Sequence, residues 1–154
     1  MVNKSEKTQI AREYFLKGYN CSQSTAIPFC EEIGQDEKTV LMAMSGFGGG
    51  VARLREVCGA VSGITYICGM IDGEYNPSDL DDKERVYKLI QAQIIKFQER
   101  HKTINCGELL AIFDKNPMPT KRTKEYYEDR PCLSLVEDAA GLIADYINQR
   151  NEAK

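Results

Sequence analysis

Apolar residues recur at helical spacing along most of this chain, and no segment alternates between apolar and polar residues convincingly enough to predict a β-strand. The clearest helical face begins after Ser78 and consists of Val86, Leu89, Ile90, Ile94 and Phe97. A second face, near the C-terminus, consists of Leu133, Val136, Ala140, Ile143, Ala144 and Ile147. The pattern predicts an all-α fold: a compact single-domain bundle of about seven helices that spans residues 1–154.

Glycines, prolines and capping residues set the expected bounds of these helices. The first helix is predicted over residues 5–17, and Gly18 closes it. The second is predicted over residues 21–33, where Pro28 should cause a kink or an early break. Asp36 can cap a third helix that reaches about residue 45. Loops are predicted at residues 46–50, 72–77 and 116–126.

Four of the six cysteines fall where a helix is expected to begin, namely Cys21, Cys58, Cys106 and Cys132. Two start signals are variants of the capping box with Asn in place of Ser or Thr: Asn20 precedes Gln23 by three positions, and Asn105 precedes Glu108 likewise. Pro131 suits the first turn of the last helix, because its missing N–H would be unpaired there. The two remaining cysteines fall where a helix is expected to end.

A helix start favours the charged form of a cysteine, because unpaired backbone N–H groups and the positive end of the helix dipole stabilise a thiolate. The four helix-start cysteines are therefore predicted to have lowered pKa values, and Arg53 and Arg55 could add positive potential near Cys58. Cys30 and Cys68 have acidic residues close by in sequence, which disfavour a thiolate. The four helix-start cysteines thus suggest a shared reactive or metal-binding site.

Composition excludes several classes of function. The net charge is −3 and the basic residues are scattered, which disfavours nucleic acid or an anionic membrane as partner. The polar N-terminus lacks the apolar core of a signal peptide, and no run approaches the roughly 18 apolar residues of a membrane span. A cytoplasmic protein without membrane insertion is expected, in which cysteines serve as free thiols, ligands or redox groups rather than structural disulfides.

The spacing of the cysteines restricts the chemistry further. No Cys-x-x-Cys occurs, so neither a thioredoxin-type dithiol nor a paired-knuckle zinc ribbon is indicated. A shared site must instead be assembled by tertiary structure, with one sulfur from each of four helix starts. The only histidine, His101, lies at the polar end of the long helix that follows Ser78 and is expected to be a solvated surface residue.

The glycine run at residues 46–50 allows two interpretations. It could form an anion-binding nest, with Arg53 and Arg55 completing a phosphate or nucleotide pocket. However, it lacks the Lys-Ser/Thr of a P-loop and follows no strand, which favours tight backbone packing beside the cysteine site. Tyr126 and Tyr127, in a charged segment, are expected to pack on the surface rather than to form a stacking platform.

The cysteines lie within motifs that resemble one known family. The motifs are Gly-Tyr-Asn-Cys-Ser-Gln-Ser at 18–24, Gly-Phe-Gly-Gly-Gly at 46–50, Cys-Gly-Ala-Val-Ser-Gly at 58–63, Asn-Cys-Gly-Glu-Leu-Leu at 105–110 and Cys-x-x-Leu-Val at 132–136. In order and spacing they resemble the C_GCAxxG_C_C family of redox-active proteins over about residues 14–144. The resemblance implies that the family's four cysteines are Cys21, Cys58, Cys106 and Cys132, and it leaves Cys30 and Cys68 outside the pattern.

Three functions follow from this set of cysteines. The leading hypothesis is one redox site of Cys21, Cys58, Cys106 and Cys132 that binds an iron–sulfur cluster or another metal and exchanges electrons with an unidentified partner protein or small molecule. The chain would then be an oxidoreductase or an electron carrier. The second hypothesis is a metal-free thiol–disulfide protein in which the same cysteines are redox-active. The third is a zinc-stabilised or metal-free helical interaction module. Independently of these functions, the exposed helix faces of so small a bundle make a homodimer a reasonable expectation.

Overall fold

The computed structural model describes residues 1–154 and contains eight α-helices without a β-strand. The helices are α1 Lys4–Leu16, α2 Cys21–Ala26, α3 Glu37–Met44, α4 Gly59–Asp72, α5 Leu80–His101, α6 Cys106–Leu110, α7 Lys124–Asp129 and α8 Cys132–Glu152. The predicted all-α architecture is confirmed, with one helix more than the seven or so expected. None of the eight combines the length and the apolar composition that a membrane crossing requires.

The capping signals begin α2 and α6 where the sequence predicted. The Asn20 side chain accepts a hydrogen bond from the Gln23 amide at 2.9 Å, and the Gln23 side chain accepts one from the Asn20 amide at 3.1 Å, so this capping box is complete. Asn105 accepts from the Glu108 amide at 2.9 Å. The Glu108 carboxylate, however, accepts from the Thr103 hydroxyl at 2.6 Å, so the second box has only one of its two bonds.

Two helix bounds depend on single residues. The predicted break at Pro28 is present: α2 ends at Ala26 and is followed by a 3₁₀ turn, Ile27–Phe29, that contains the proline. Helix α7 lies in a segment that was predicted as a loop at 116–126, and that prediction is wrong at its C-terminal end. The hydroxyl of Thr123 caps α7 by accepting from the Tyr126 amide at 3.2 Å. Six largely polar residues show too little apolar periodicity to reveal such a helix.

The core is built around α4, which packs against α2, α5 and α8, while α1 lies along α8. Helix α8 contributes small residues where α1 approaches, and a Cβ added to Gly141 would lie 3.1 Å from the Lys4 side chain. Buried apolar side chains from these helices form one continuous cluster. Its largest fully buried members are Phe15, Phe29, Phe97, Ile64, Ile67 and Ile143. Their burial packs α1, α4, α5 and α8 together and so positions the starts of α4 and α8.

His101 is not the solvated surface residue that was expected. Its ring packs against Phe97 with 4.5 Å between ring centroids, and its Nε2 lies 2.7 Å from the Asp138 carboxylate. The C-terminal end of α5 therefore docks against α8, which half-buries the imidazole. Sequence periodicity could not show this contact, because it depends on which helix lies beside α5.

Candidate four-cysteine site

All four helix-start cysteines lie at helix starts in the structure. Cys21, Cys106 and Cys132 are the first residues of α2, α6 and α8, and Cys58 is the N-cap of α4. Pro131 is the N-cap of α8, one position earlier than expected. The four cysteines line a single cavity of about 70 Å³. Four chain segments that are remote in sequence therefore place their cysteines around one space.

Cys30 and Cys68 lie apart from this cavity. Cys30 follows the 3₁₀ turn Ile27–Phe29, and Cys68 lies within α4, four residues before its end, rather than at the end itself. Cys68 is completely buried in the apolar core. The cavity therefore contains the four cysteines that the motif comparison selected and excludes the other two.

A short antiparallel pairing joins the segments that lead into α4 and α6. The Cys58 amide donates to the Ile104 carbonyl at 2.8 Å, and the Cys106 amide donates to the Glu56 carbonyl at 2.6 Å. Val57 is opposed to Asn105 in this pairing, so Cys58 and Cys106 lie diagonally across it and on the same face. The two cysteines are almost fully buried, at 5% and 6% exposure.

Glycines allow the cysteines to approach the neighbouring backbone. A Cβ on Gly59 would lie 2.3 Å from the Cys21 sulfur, and a Cβ on Gly50 would lie 2.5 Å from the Cys106 Cβ. Both distances are far below van der Waals contact, so any side chain there would displace a site cysteine. The expectation that the glycine run packs tightly beside the cysteines is confirmed.

The chain after the glycine run forms one turn of left-handed backbone. Five consecutive residues, Gly49, Gly50, Val51, Ala52 and Arg53, have φ between 48° and 71°, and Arg55 has φ of 61°. Such a conformation costs roughly 1–2 kcal/mol for each residue that has a Cβ. Backbone hydrogen bonds hold the turn, including Ala52 to Gly46 and Glu56 to Gly50, both 2.8 Å. Strain of this kind is characteristic of functional sites.

This turn carries Arg55 into the protein interior. The residue is only 4% exposed; its Nε donates to the Asp114 carbonyl at 3.0 Å, and its Nη1 lies 3.7 Å from the Cys106 sulfur. Its Nη2 is buried without a hydrogen-bond partner. Arg55 was expected to add potential near Cys58, but its direct contact is with Cys106.

Arg122, Arg130 and Tyr126 also line the cavity, although no sequence motif marks them as site residues. The two guanidinium carbons lie 4.9 Å and 4.5 Å from the centre of the Tyr126 ring. Tyr126 is therefore a half-buried stacking platform for two arginines, and its prediction as a surface residue is wrong. The sole sequence signal was the position of Arg130, two residues before Cys132. Arg122 lies in a segment without a motif.

One known family model matches most of this chain. The model of the family described as "Putative redox-active protein (C_GCAxxG_C_C)" matches residues 19–146. The chain belongs to this family. The matched stretch includes all six cysteines, and the four that line the cavity are among them. No curated protein matches the chain, and no solved structure does so either.

The expected lowering of the thiol pKa is wrong for Cys21, Cys58 and Cys132. Burial raises the pKa of Cys21 and Cys58, and it raises that of Cys132 to about 12. The backbone amides of Ser22 and Gly59, at the starts of α2 and α4, and that of Gly49, in the glycine run, act to lower the pKa of Cys21. Desolvation of the thiolate outweighs them, because the sulfur lies in a small, largely apolar cavity.

The donor chemistry of the cavity can be compared with that of a metal cluster. Four thiols surrounded by amide donors and arginines have the composition of an iron–sulfur ligand set, in which N–H groups and cations offset thiolate charge. No group of three or more His, Cys, Asp or Glu side chains is placed so that it could hold a metal ion. The four thiols therefore do not form a metal-binding group in the arrangement that this structure shows.

Proposed function

We propose that this protein is a redox protein whose four helix-start cysteines act as one site. The observation that carries the proposal is that Cys21, Cys58, Cys106 and Cys132, from four separate helix starts, line one cavity. Family membership supports the same general function. The individual role of each cysteine stays a prediction.

We further propose that the site holds an iron–sulfur cluster and that the four cysteines are its ligands. When bound, such a cluster supplies one-electron transfer. The protein's contribution is to exclude water and to balance charge. Four thiolates in a buried site would repel one another, and the Arg55 guanidinium at Cys106, the amides at Cys21 and the two arginines on Tyr126 are positioned to offset that charge.

Burial favours this proposal over metal-free thiol–disulfide chemistry. The thiolate is the attacking species in disulfide exchange, and the raised pKa values of Cys21, Cys58 and Cys132 keep these groups protonated at neutral pH. A bound metal can replace those protons directly, because its positive charge stabilises the thiolate. The protein would then act as an electron carrier or an oxidoreductase toward an unidentified partner protein or small molecule.

The experiment is anaerobic purification followed by iron and acid-labile sulfide analysis and visible absorption. We expect iron and sulfide in the wild-type protein and their loss in Cys58→Ser and Cys106→Ser. Cys68→Ser is the matched control, because Cys68 is equally buried but lies outside the cavity, and this variant should retain the cluster. Far-ultraviolet circular dichroism of each variant separates loss of cluster from loss of fold.

Other outcomes contradict the cluster and select among the alternatives. A colourless protein without metal, even after reconstitution, would overturn the iron–sulfur proposal. Rapid alkylation of cavity cysteines together with a two-electron potential would identify a thiol–disulfide protein. Stoichiometric zinc, bound without redox activity, would identify a zinc-stabilised module instead.

A further inference from the structure

A second cavity, of about 340 Å³, adjoins the four-cysteine cavity and is lined by Arg53, Arg55, Arg122 and Arg130. We call it the arginine cavity. Three of these arginines and Tyr126 line both cavities, so the two spaces meet at the same side chains. Its outer wall includes the exposed residues Pro117, Pro119 and Thr120. No aspartate or glutamate lines it.

The pairing of arginines across the molecule sets this cavity apart. The chain has eight arginines, and four of them form salt bridges: Arg12 with Glu137, Arg85 with Asp82, Arg100 with Asp138 and Arg150 with Asp72. The other four are the arginines of the cavity, and none of them forms a salt bridge. Carboxylates are in excess in this chain of net charge −3. A shortage of anionic partners therefore does not explain why these four guanidinium groups lack one.

The cavity arginines use neutral acceptors instead. Arg53 donates to the carbonyls of Asn116 and Met118, and Arg130 donates to the Thr120 hydroxyl at 3.2 Å. In the metal-free protein, whose cavity thiols carry no charge to pair with them, these bonds hold the guanidinium groups in place but leave their charges uncompensated. Arg55 is the extreme case, because it is almost fully buried and its Nη2 has no partner at all. A buried charged donor without an acceptor is costly unless a ligand supplies the acceptor.

We infer that the arginine cavity binds an oxyanion of the phosphate or sulfate class, either free or as the anionic group of a small molecule. Guanidinium groups match the oxygen spacing of such anions and bind them through paired N–H bonds. Arg55 is the most deeply buried of the four and has an Nη2 without a partner, and Arg122 and Arg130, stacked on Tyr126, supply further donors. This binding does not depend on the proposed redox function.

The test is calorimetric titration of inorganic phosphate, and separately of sulfate, into the metal-free full-length protein at low ionic strength. We expect saturable binding at one site. Arg130→Gln should weaken it about tenfold, which corresponds to the loss of one charge-assisted contact. Arg55→Met should weaken it at least as much. Arg12→Gln is the matched control, because Arg12 pairs with Glu137 away from the cavity. This variant should bind phosphate with the affinity of the wild type.

The two cavity variants keep the test decisive. Arg55 is buried and its replacement can impair folding, so Arg130→Gln, at a half-buried position with a single side-chain hydrogen bond, carries the result in that event. Absence of saturable phosphate and sulfate binding, or equal affinity in wild type and Arg130→Gln, would overturn the inference. A phosphomonoester that binds more tightly than inorganic phosphate would show that the anion is carried by a larger molecule, and the reverse order would show a free ion.

This outcome can be separated from that of the redox proposal. Phosphate binding is measured without metal, so its failure leaves the four-cysteine site untouched. Conversely, a protein that contains no iron but still binds phosphate at the arginine cavity would overturn the cluster and retain the anion site.

Discussion

Charged side chains are paired with an opposite charge at the junction of α4 with α8, but they are not paired in the arginine cavity. At the junction, Arg150 donates to the Asp72 carboxylate at 2.7 Å, and the Tyr146 hydroxyl donates to the same carboxylate. Burial by itself would raise the pKa of Asp72, but these hydrogen bonds outweigh it and lower the pKa. At the cavity, Arg55 is more deeply buried and has no carboxylate partner. At the junction the chain itself supplies the opposite charge, whereas the arginines of the cavity are left to pair with a ligand.

The backbone shows the same contrast. Asp72 and Arg150 lie on right-handed helices that end without unusual dihedral angles. Arg53 and Arg55 lie on a left-handed turn that five consecutive residues of positive φ build. Strain is absent where the residues only join two helices, and present where they position groups at a site.

Alkaline pH should have the largest effect on the stability of the reduced, metal-free protein. Burial raises the pKa of Cys58 and Cys21, and that of Cys132 to about 12, whereas an unfolded cysteine has a pKa of about 8.5. The stability that these thiols contribute is fully present below pH about 8.5 and is lost as pH rises toward the folded values. The loss should approach about 1.4 kcal/mol per pH unit for each such thiol.

Urea unfolding between pH 7 and 10 measures this effect, with a reductant present throughout. Cys58→Ser should show a shallower decline than the wild type, because one buried thiol no longer titrates. A free energy of unfolding that stays constant over this range would contradict the raised pKa values. It would also contradict the argument that burial disfavours thiol–disulfide chemistry.

Gly59→Ala should have the next largest effect. The new Cβ would lie 2.3 Å from the Cys21 sulfur, so either Cys21 or the start of α4 must move. We expect a loss of about 3 kcal/mol in the free energy of unfolding, and loss of any bound cluster. Gly69→Ala in the same helix is the control, because the nearest atom, Cδ1 of Ile90, is 4.0 Å away.

The control variant should be more stable than the wild type by about 0.5–1 kcal/mol, as expected for alanine in a helix interior. Thermal and urea unfolding of the two variants provide the comparison. Equal stability of Gly59→Ala and Gly69→Ala would show that the start of α4 is not in close contact with the Cys21 sulfur.

Asp72→Asn should have the smallest effect of the three. It removes the charge partner of Arg150, and we expect a loss of about 1–2 kcal/mol at pH 7. The pKa of Asp72 is lowered in the folded state, so its stabilising contribution is present above the unfolded pKa of about 3.9 and disappears as pH falls through the folded value. The difference between wild type and variant should therefore vanish in acid.

Urea unfolding at pH 7 and at a series of pH values descending from about 3.9 measures both halves of this prediction. Asp129→Asn is the control, because Asp129 is exposed and forms no salt bridge. If Asp72→Asn and Asp129→Asn lower the free energy of unfolding equally at neutral pH, the Asp72–Arg150 pair contributes nothing to stability. The contrast between this paired junction and the unpaired arginines of the cavity would then have no energetic basis.

Local signals made much of the fold predictable. The break at Pro28, the caps at Asn20 and Asn105 and the long apolar stripe of α5 depend on residues within a few positions of each other. Helix α7 was not predicted, because the local signal there is incomplete: its Thr123 cap is not followed by an apolar stripe. The cysteine set was also accessible, since each of its members is adjacent to a cap or a motif.

The sequence by itself determined where every helix except α7 begins to within about a residue and which four cysteines lie at helix starts, because capping hydrogen bonds and apolar periodicity act over a few residues. Only the tertiary structure decided that the cysteines of these starts surround one cavity, that burial reverses the expected direction of the thiol pKa shifts, and that four arginines without carboxylates gather beside them. Desolvation and charge pairing depend on which distant segments pack together, and no local pattern specifies those contacts.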